Sequence, residues 1–224
     1  MSESLVGGIP MDALEVAIRS AASNAWQTMA TRDYTEKARY SERLASHLFA
    51  HHLLKLRPEL EARMWMEYRP WPEEADERID VWVSNPDLGS DLAIELKVAD
   101  PTDQASGDRY QVRGEVVADF LKLGSALRWS RLGRAFVMLL GGRHYLTGDT
   151  LLCKLASGSI GACVDASISD LIPMRSERYW ASLEDWLTPE AEAPSELRIR
   201  LVHREQDETT GCWLWEVVLP DGQR

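Results

Sequence analysis

RIDVWVSNPDLGSDLAIELKV, Arg78 to Val98, carries two runs of alternating apolar and polar residues around a polar turn. In its first half Ile79, Val81 and Val83 alternate with Arg78, Asp80 and Trp82. In its second half Leu92, Ile94, Leu96 and Val98 alternate with Ala93, Glu95, Lys97 and Ala99. Period-two alternation marks two strands around a turn, each with one apolar face. Centring the turn between Asp87 and Leu88 sets Ile79 against Leu96, Val81 against Ile94 and Val83 against Leu92, so every apolar residue meets an apolar partner.

The same register brings Asp80 opposite Glu95, and like charges so placed destabilise a strand pair. Two carboxylates at that range either raise a pKa or bind a cation. Lys97 follows two residues beyond Glu95 on the same face, about 6.6 Å along the strand. A divalent cation turns the repulsion into coordination, since Mg²⁺ takes carboxylate oxygens, water and phosphate. A neighbouring ammonium can orient an attacking water or help to deprotonate it. The hairpin face therefore reads as a metal–phosphate site.

Outward from the hairpin, Met11 to Ala30 has helical apolar spacing, with Asp12 near its N-cap. A second helix is predicted from about Thr35 to Leu56, stopping before Pro58, with Glu42 outside its apolar stripe. RMWMEYRPW (Arg63 to Trp71) alternates as a strand. After the hairpin a helix is predicted over roughly Gln111 to Trp129, and RAFVMLLGG (Arg134 to Gly142) reads as a strand buried on both faces. Short helices are expected at Thr150 to Ala156 and at Tyr179 to Leu187, and LRIRLVHRE and CWLWEVVLP form a hairpin around DETTG. This order makes an α/β domain, a mixed central β-sheet flanked by helices with a C-terminal β-hairpin. Its parts are an N-terminal helical segment (1–34), a core (35–148) and an extension (149–224) packed on the same domain.

The chain of 224 residues carries a net charge of −11, which argues against a general nucleic-acid coat, where Lys and Arg release counterions from phosphate. Between Arg109 and Arg134 the balance reverses: Arg109, Arg113, Lys122, Arg128, Arg131 and Arg134 stand against Glu115 and Asp119. Such a run is either a solvated helix face or a local phosphate-binding wall. No apolar run approaches the length of a membrane span, and the N-terminus lacks the pattern of a secretory signal. Three cysteines matching no zinc spacing suit idle thiols in a reducing cytosol, so the expectation is a cytoplasmic protein away from membranes. His47 and His51 lie four apart with no evident third ligand, and a surface role is favoured. Trp213 and Trp215 share one strand face, where core packing is favoured over base stacking.

Asp80 in RIDVWV, with Glu95, Leu96 and Lys97 in IELKV, resembles the PD-(D/E)XK nuclease superfamily, which includes many restriction endonucleases. In that family an aspartate from one strand and an E-x-K from the next bind Mg²⁺ and activate water. Glu42 in YSERLASHL resembles the glutamate of the family's first helix, and Glu67 in WMEYRPW lies in the strand that often precedes the aspartate. EVVADFLKLGSAL followed by RAFVMLL looks like the family's helix and next core strand, so the resemblance spans about Ala38 to Gly142. No proline precedes Asp80, and Gln111 lacks the tyrosine four residues on that marks one branch.

The resemblance implies a restriction-endonuclease-like core and Mg²⁺-dependent phosphodiester hydrolysis, with Mn²⁺ as a substitute and DNA as substrate, in a defence or mobile-element setting. It implies catalytic roles for Asp80, Glu95 and Lys97, and metal binding by Asp80, Glu95, the Leu96 carbonyl and Glu42. Arg109, Arg113 and Lys122 would contact the phosphate backbone. The competing expectation is a non-cutting protein of the same fold, working through a protein partner as an accessory subunit. The acidic balance and the Trp-bearing hairpin favour it. A homodimer is the expected assembly.

Overall fold

The computed structural model describes residues 11–31, 41–69, 78–84, 90–100, 106–129, 132–167 and 196–220. Helices α1 (Met11–Thr31) and α2 (Glu42–Leu56) precede a 3₁₀ turn at Pro58–Arg63 and strands β1 (Met64–Tyr68), β2 (Ile79–Val83) and β3 (Asp91–Ala99). Then come α3 (Ser106–Trp129), β4 (Leu132–Gly142), a 3₁₀ turn at Arg143–Leu146, α4 (Leu151–Ser157), β5 (Cys163–Ser167), β6 (Glu196–Gln206) and β7 (Thr210–Val218). The helix expected at Tyr179 to Leu187 and the turn around Asp87 lie outside the described residues. Among the described residues no helix is long and apolar enough to cross a membrane.

The strands form one mixed seven-stranded sheet in the order β1-β2-β3-β4-β7-β6-β5. All neighbours are antiparallel except β3 and β4, which run parallel along Asp91–Ala99 and Leu132–Gly141. A parallel pair needs a crossover, and α3 supplies it across one face of the sheet. The terminal β6–β7 hairpin is part of this sheet, because β7 pairs with β4 from Ala135↔Val217 to Gly142↔Thr210.

Alternation along the central strands divides the core in two. Ala135, Val137 and Leu139 of β4 join Val116, Phe120 and Leu123 of α3 on one face. Phe136, Met138 and Leu140 join Leu14, Ile18, Ala21 and Ala25 of α1 and Phe49 and Leu53 of α2 on the other. Strand β4 is thus buried on both faces, as its apolar run predicts. Small residues at helical spacing let α1 lie close to its neighbours. Trp213 and Trp215 are core residues on the α3 side, with Trp215 meeting Phe120 edge-on at 5.8 Å between centroids.

The hairpin pairs Val81 with Ile94 and Val83 with Leu92, the register that matches apolar to apolar. Asp91 pins it at the turn end, accepting from the Trp82 indole and the Ser84 hydroxyl, each at 3.1 Å. Ile79 departs from the expected alternation: it packs with Trp82 on the α3 side, not with Val81 and Val83. The departure falls just beyond Val81↔Ile94, where the paired stretch of β2 and β3 ends.

On the α1 side, Arg134 of β4 binds Glu15 of α1 and Glu216 of β7, each at 2.5 Å. Arg200 of β6 reaches the same two carboxylates. Burial works against the charge of Glu15, but the two guanidinium groups hold its carboxyl below the ordinary range. This network clamps α1 onto three strands. It also gives Arg134, part of the basic run, an internal role.

At the end of the parallel pair Gly141 has φ +123° and lies against Ala99, so that a Cβ there would stand 1.9 Å from the Ala99 carbonyl oxygen. Both the dihedral and the contact exclude a side chain. Gly141→Ala is expected to destabilise the protein by about 2 kcal/mol or more, read from urea unfolding. An unchanged midpoint would show that β3 and β4 do not approach this closely.

Candidate functional site

Beyond the Val81↔Ile94 pair a side chain meets the neighbouring strand's backbone: the Leu96 N–H donates to Asp80 Oδ2 at 2.7 Å. Leu96 follows Glu95 directly, so this bond holds Asp80 close enough for its charge to act on the Glu95 carboxyl. Alternation turns Glu95 toward α3, where it is only 2% exposed. Its Oε1 lies 2.6 Å from Nζ of Lys122. Lys122 also donates to the Arg78 carbonyl at 2.9 Å and stands 3.9 Å from Asp119 Oδ1.

Asp119 extends the cluster toward the surface. It is 1% exposed, and its Oδ2 lies 3.9 Å from Nζ of Lys97. Lys97 in turn lies 3.4 Å from Oε1 of Glu42, which α2 presents in its first turn. Acid and base therefore alternate through Glu95, Lys122, Asp119, Lys97 and Glu42, across one strand and two helices. Glu115, Asp119 and Lys122 occupy positions i, i+4 and i+7 of α3, one face of a helix. Of these, only Lys122 was singled out from sequence; the polar stripe within a largely buried helix was the signal for Asp119.

Electrostatics follow from burial. Removal from water pushes the Glu95 carboxyl well above the ordinary range; Asp119 and Asp80 add to the rise while Lys122 opposes it. Burial also lifts Asp119 to about 7 against the pull of Lys97 and Lys122. Glu42 is raised, again mainly by burial, with Lys97 opposing. Burial disfavours the charges of Lys97 and Lys122, yet the surrounding carboxylates outweigh it and hold both ammonium groups firmly protonated. The carboxylates acting on one another here are Glu42, Asp80, Glu95, Glu115 and Asp119, against the cations Lys97 and Lys122. The cluster sets five carboxyl groups against two ammonium groups.

The structure thus brings Asp80, Glu95, Lys97 and Glu42 into one neighbourhood. Leu96 contributes its N–H to Asp80, and its side chain packs in the α2-side core. The guanidinium of Arg113 and the ammonium of Lys122 do not face outward as a phosphate-backbone contact requires. Arg113 is buried, donating to the Tyr145 and Thr147 carbonyls at 2.6 Å each, and so ties α3 to the turn after β4. Arg109 lies in α3, with its side chain outside the described residues. Glu67 has the uncommon φ of +54° and is exposed, 3.9 Å from Arg78. His47 is exposed on α2.

Among the described residues no three His, Cys, Asp or Glu side chains gather closely enough to hold a metal ion as they stand. The donors suit a hard divalent cation in kind, being carboxyl oxygens gathered in one cluster. The Lys122 ammonium stands against the Glu95 oxygen that such an ion would use. Comparison with family models, with curated proteins and with solved structures returns no match to this chain.

Asp119 gives the site a pH signature. Its folded carboxyl keeps a proton up to about pH 7, whereas the unfolded chain gives it up near the ordinary 3.8. The folded state binds more protons across that window, so stability falls as pH rises through it. The thermal midpoint is expected to decline between about pH 4 and pH 7, and Asp119→Asn should flatten the decline. An equally steep profile in the variant would remove Asp119 as its source.

Proposed function

We propose that this chain is a divalent-metal-dependent phosphodiesterase acting on DNA, with Asp80, Glu95 and Lys97 as its catalytic group. The observation that carries the reading is the set of Asp80 and Glu95 on adjacent strands, with Lys97 between Asp119 and Glu42. The β3–α3–β4 crossover that brings α3 over these residues is the order expected of a restriction-endonuclease-like core. DNA as substrate, and Mg²⁺ or Mn²⁺ as the ion, come from the resemblance of RIDVWV and IELKV to the PD-(D/E)XK nucleases.

Asp80 and Glu95 would hold the ion, with Glu42 and the Leu96 carbonyl as further oxygen donors. The bound ion supplies Lewis acidity toward a phosphoryl oxygen. Lys97 orients the attacking water and offsets charge that develops on the phosphate. Glu42 and Asp119 flank the Lys97 ammonium and keep it charged and in place.

A second reading has its own support. Lys122 bound to Glu95 and Arg113 turned inward are what a non-cutting accessory protein of the same architecture would show. One assay separates the two: cleavage of plasmid, linear and single-stranded DNA, with RNA alongside, in Mg²⁺ or Mn²⁺. The nuclease reading expects metal-dependent cutting that Asp80→Ala and Lys97→Ala each lower at least about a hundredfold while both variants stay folded. A protein that cuts nothing would leave the accessory reading in its place, and folded variants that cut at the wild-type rate would remove Asp80 and Lys97 as the catalytic group.

A further inference from the structure

Lys122 is surrounded by oxygen. Its Nζ lies 2.6 Å from a Glu95 carboxylate oxygen, 2.9 Å from the Arg78 main-chain carbonyl and 3.9 Å from an Asp119 carboxylate oxygen. Two carboxylates and a backbone carbonyl are the donor types that a hard divalent cation collects. The ammonium is a compact charge with three N–H donors, at the end of a flexible four-carbon stem. Its side chain is 9% exposed, so it is held inside the cluster, and its stem is rooted on α3.

We infer that Lys122 is a built-in cation that occupies Glu95 and must be displaced before a divalent metal can bind there. The inference rests on the reading of Asp80 and Glu95 as metal ligands and adds a regulatory element to it. Three observations converge. Lys122 makes its shortest polar contact with a residue of the proposed ligand set. As they stand, the described carboxylates do not gather into a group of three that could hold a metal. The cluster nonetheless sets Glu95, Asp119 and Glu42, with Asp80 beside them, against two lysines, a surplus of acidic groups. A dication entering beside Asp80 and Glu95 would meet that surplus and compete with Lys122 for the same oxygen. Between them, substrate and metal would convert a closed ion pair into an open site, and free protein at low metal would idle with Lys122 in place.

The test is Mn²⁺ binding to the full-length chain by calorimetry, without nucleic acid, for wild type, Lys122→Met and Asp80→Ala. Methionine matches the length of the lysine stem and removes its charge. Removal of a close competing charge is expected to tighten Mn²⁺ binding on the order of tenfold or more in Lys122→Met, and Asp80→Ala should abolish it. Equal or weaker binding by a folded Lys122→Met overturns the displacement and leaves the metal site intact. No binding by either wild type or Lys122→Met removes the metal site itself, and the displacement with it. Since Lys122→Met leaves Glu95 and Asp119 facing each other, the wild type gives a second readout. The rate at which an amine-directed reagent labels Lys122 should rise severalfold when Mn²⁺ is added. An unchanged rate in Mn²⁺ that saturates the protein overturns the inference without any variant.

Discussion

Burial of Glu95 is the constraint on which the site depends. Carboxylates are expensive to remove from water, and an unpaired one in the interior takes up a proton or acquires a partner. Here the register of the hairpin leaves no choice of direction. Leu92, Ile94 and Leu96 must face α1 and α2, so Glu95 must face α3. Helix α3 answers with Lys122 at 2.6 Å, and Lys122 draws in Asp119 and the Arg78 carbonyl. Asp119 then brings its own burden of burial, which Lys97 and Lys122 relieve in part. The alternating chain of charges is the consequence of one residue placed by strand geometry.

Such an arrangement is not explained by stability. A buried ion pair often contributes no more than apolar residues of the same volume, and removal of one partner is strongly destabilising. Positions facing α3 next to Val116, Phe120 and Val137 would take aliphatic residues readily, as Ala93 and Leu139 do. On the reading proposed above, raised carboxyl groups beside charged lysines fit a cluster tuned for chemistry. The Glu15–Arg134–Glu216–Arg200 network is an instructive contrast. There two carboxylates meet two guanidinium groups, Glu15 is lowered, and the arrangement reads as a clamp.

Much of this was legible in the sequence where a single physical rule acted alone. The hairpin register followed from pairing apolar with apolar, and Val81↔Ile94 and Val83↔Leu92 obey it. Ile79 does not: no β3 residue pairs with it, and its β1 partner Tyr68 follows Glu67, whose φ of +54° interrupts the regular strand, so both turn to the α3 side. Strand β5 left little trace, since CVDAS at the sheet edge buries only Ala166. The seat of β7 beside β4 was not readable either, because sheet order depends on long-range pairing that local alternation does not encode. Arg113 and Lys122 looked like an outward basic wall. Their partners are carbonyls and carboxylates from distant elements, Tyr145, Thr147 and Glu95, which helical spacing alone cannot reveal. Asp119 was masked by the same effect: α3 is buried on more than one side, so its polar stripe did not mark a solvent face.

The account's central claim is that Asp80 and Glu95 together form a site for a divalent cation. A crystal of the protein soaked in Mn²⁺ and measured at the manganese edge tests it most directly, because anomalous scattering locates the ion without any assumption about activity. The account expects one strong peak within coordination distance of carboxylate oxygens of both Asp80 and Glu95. A peak elsewhere, or an empty cluster in a crystal that takes up Mn²⁺ at other carboxylates, would contradict it.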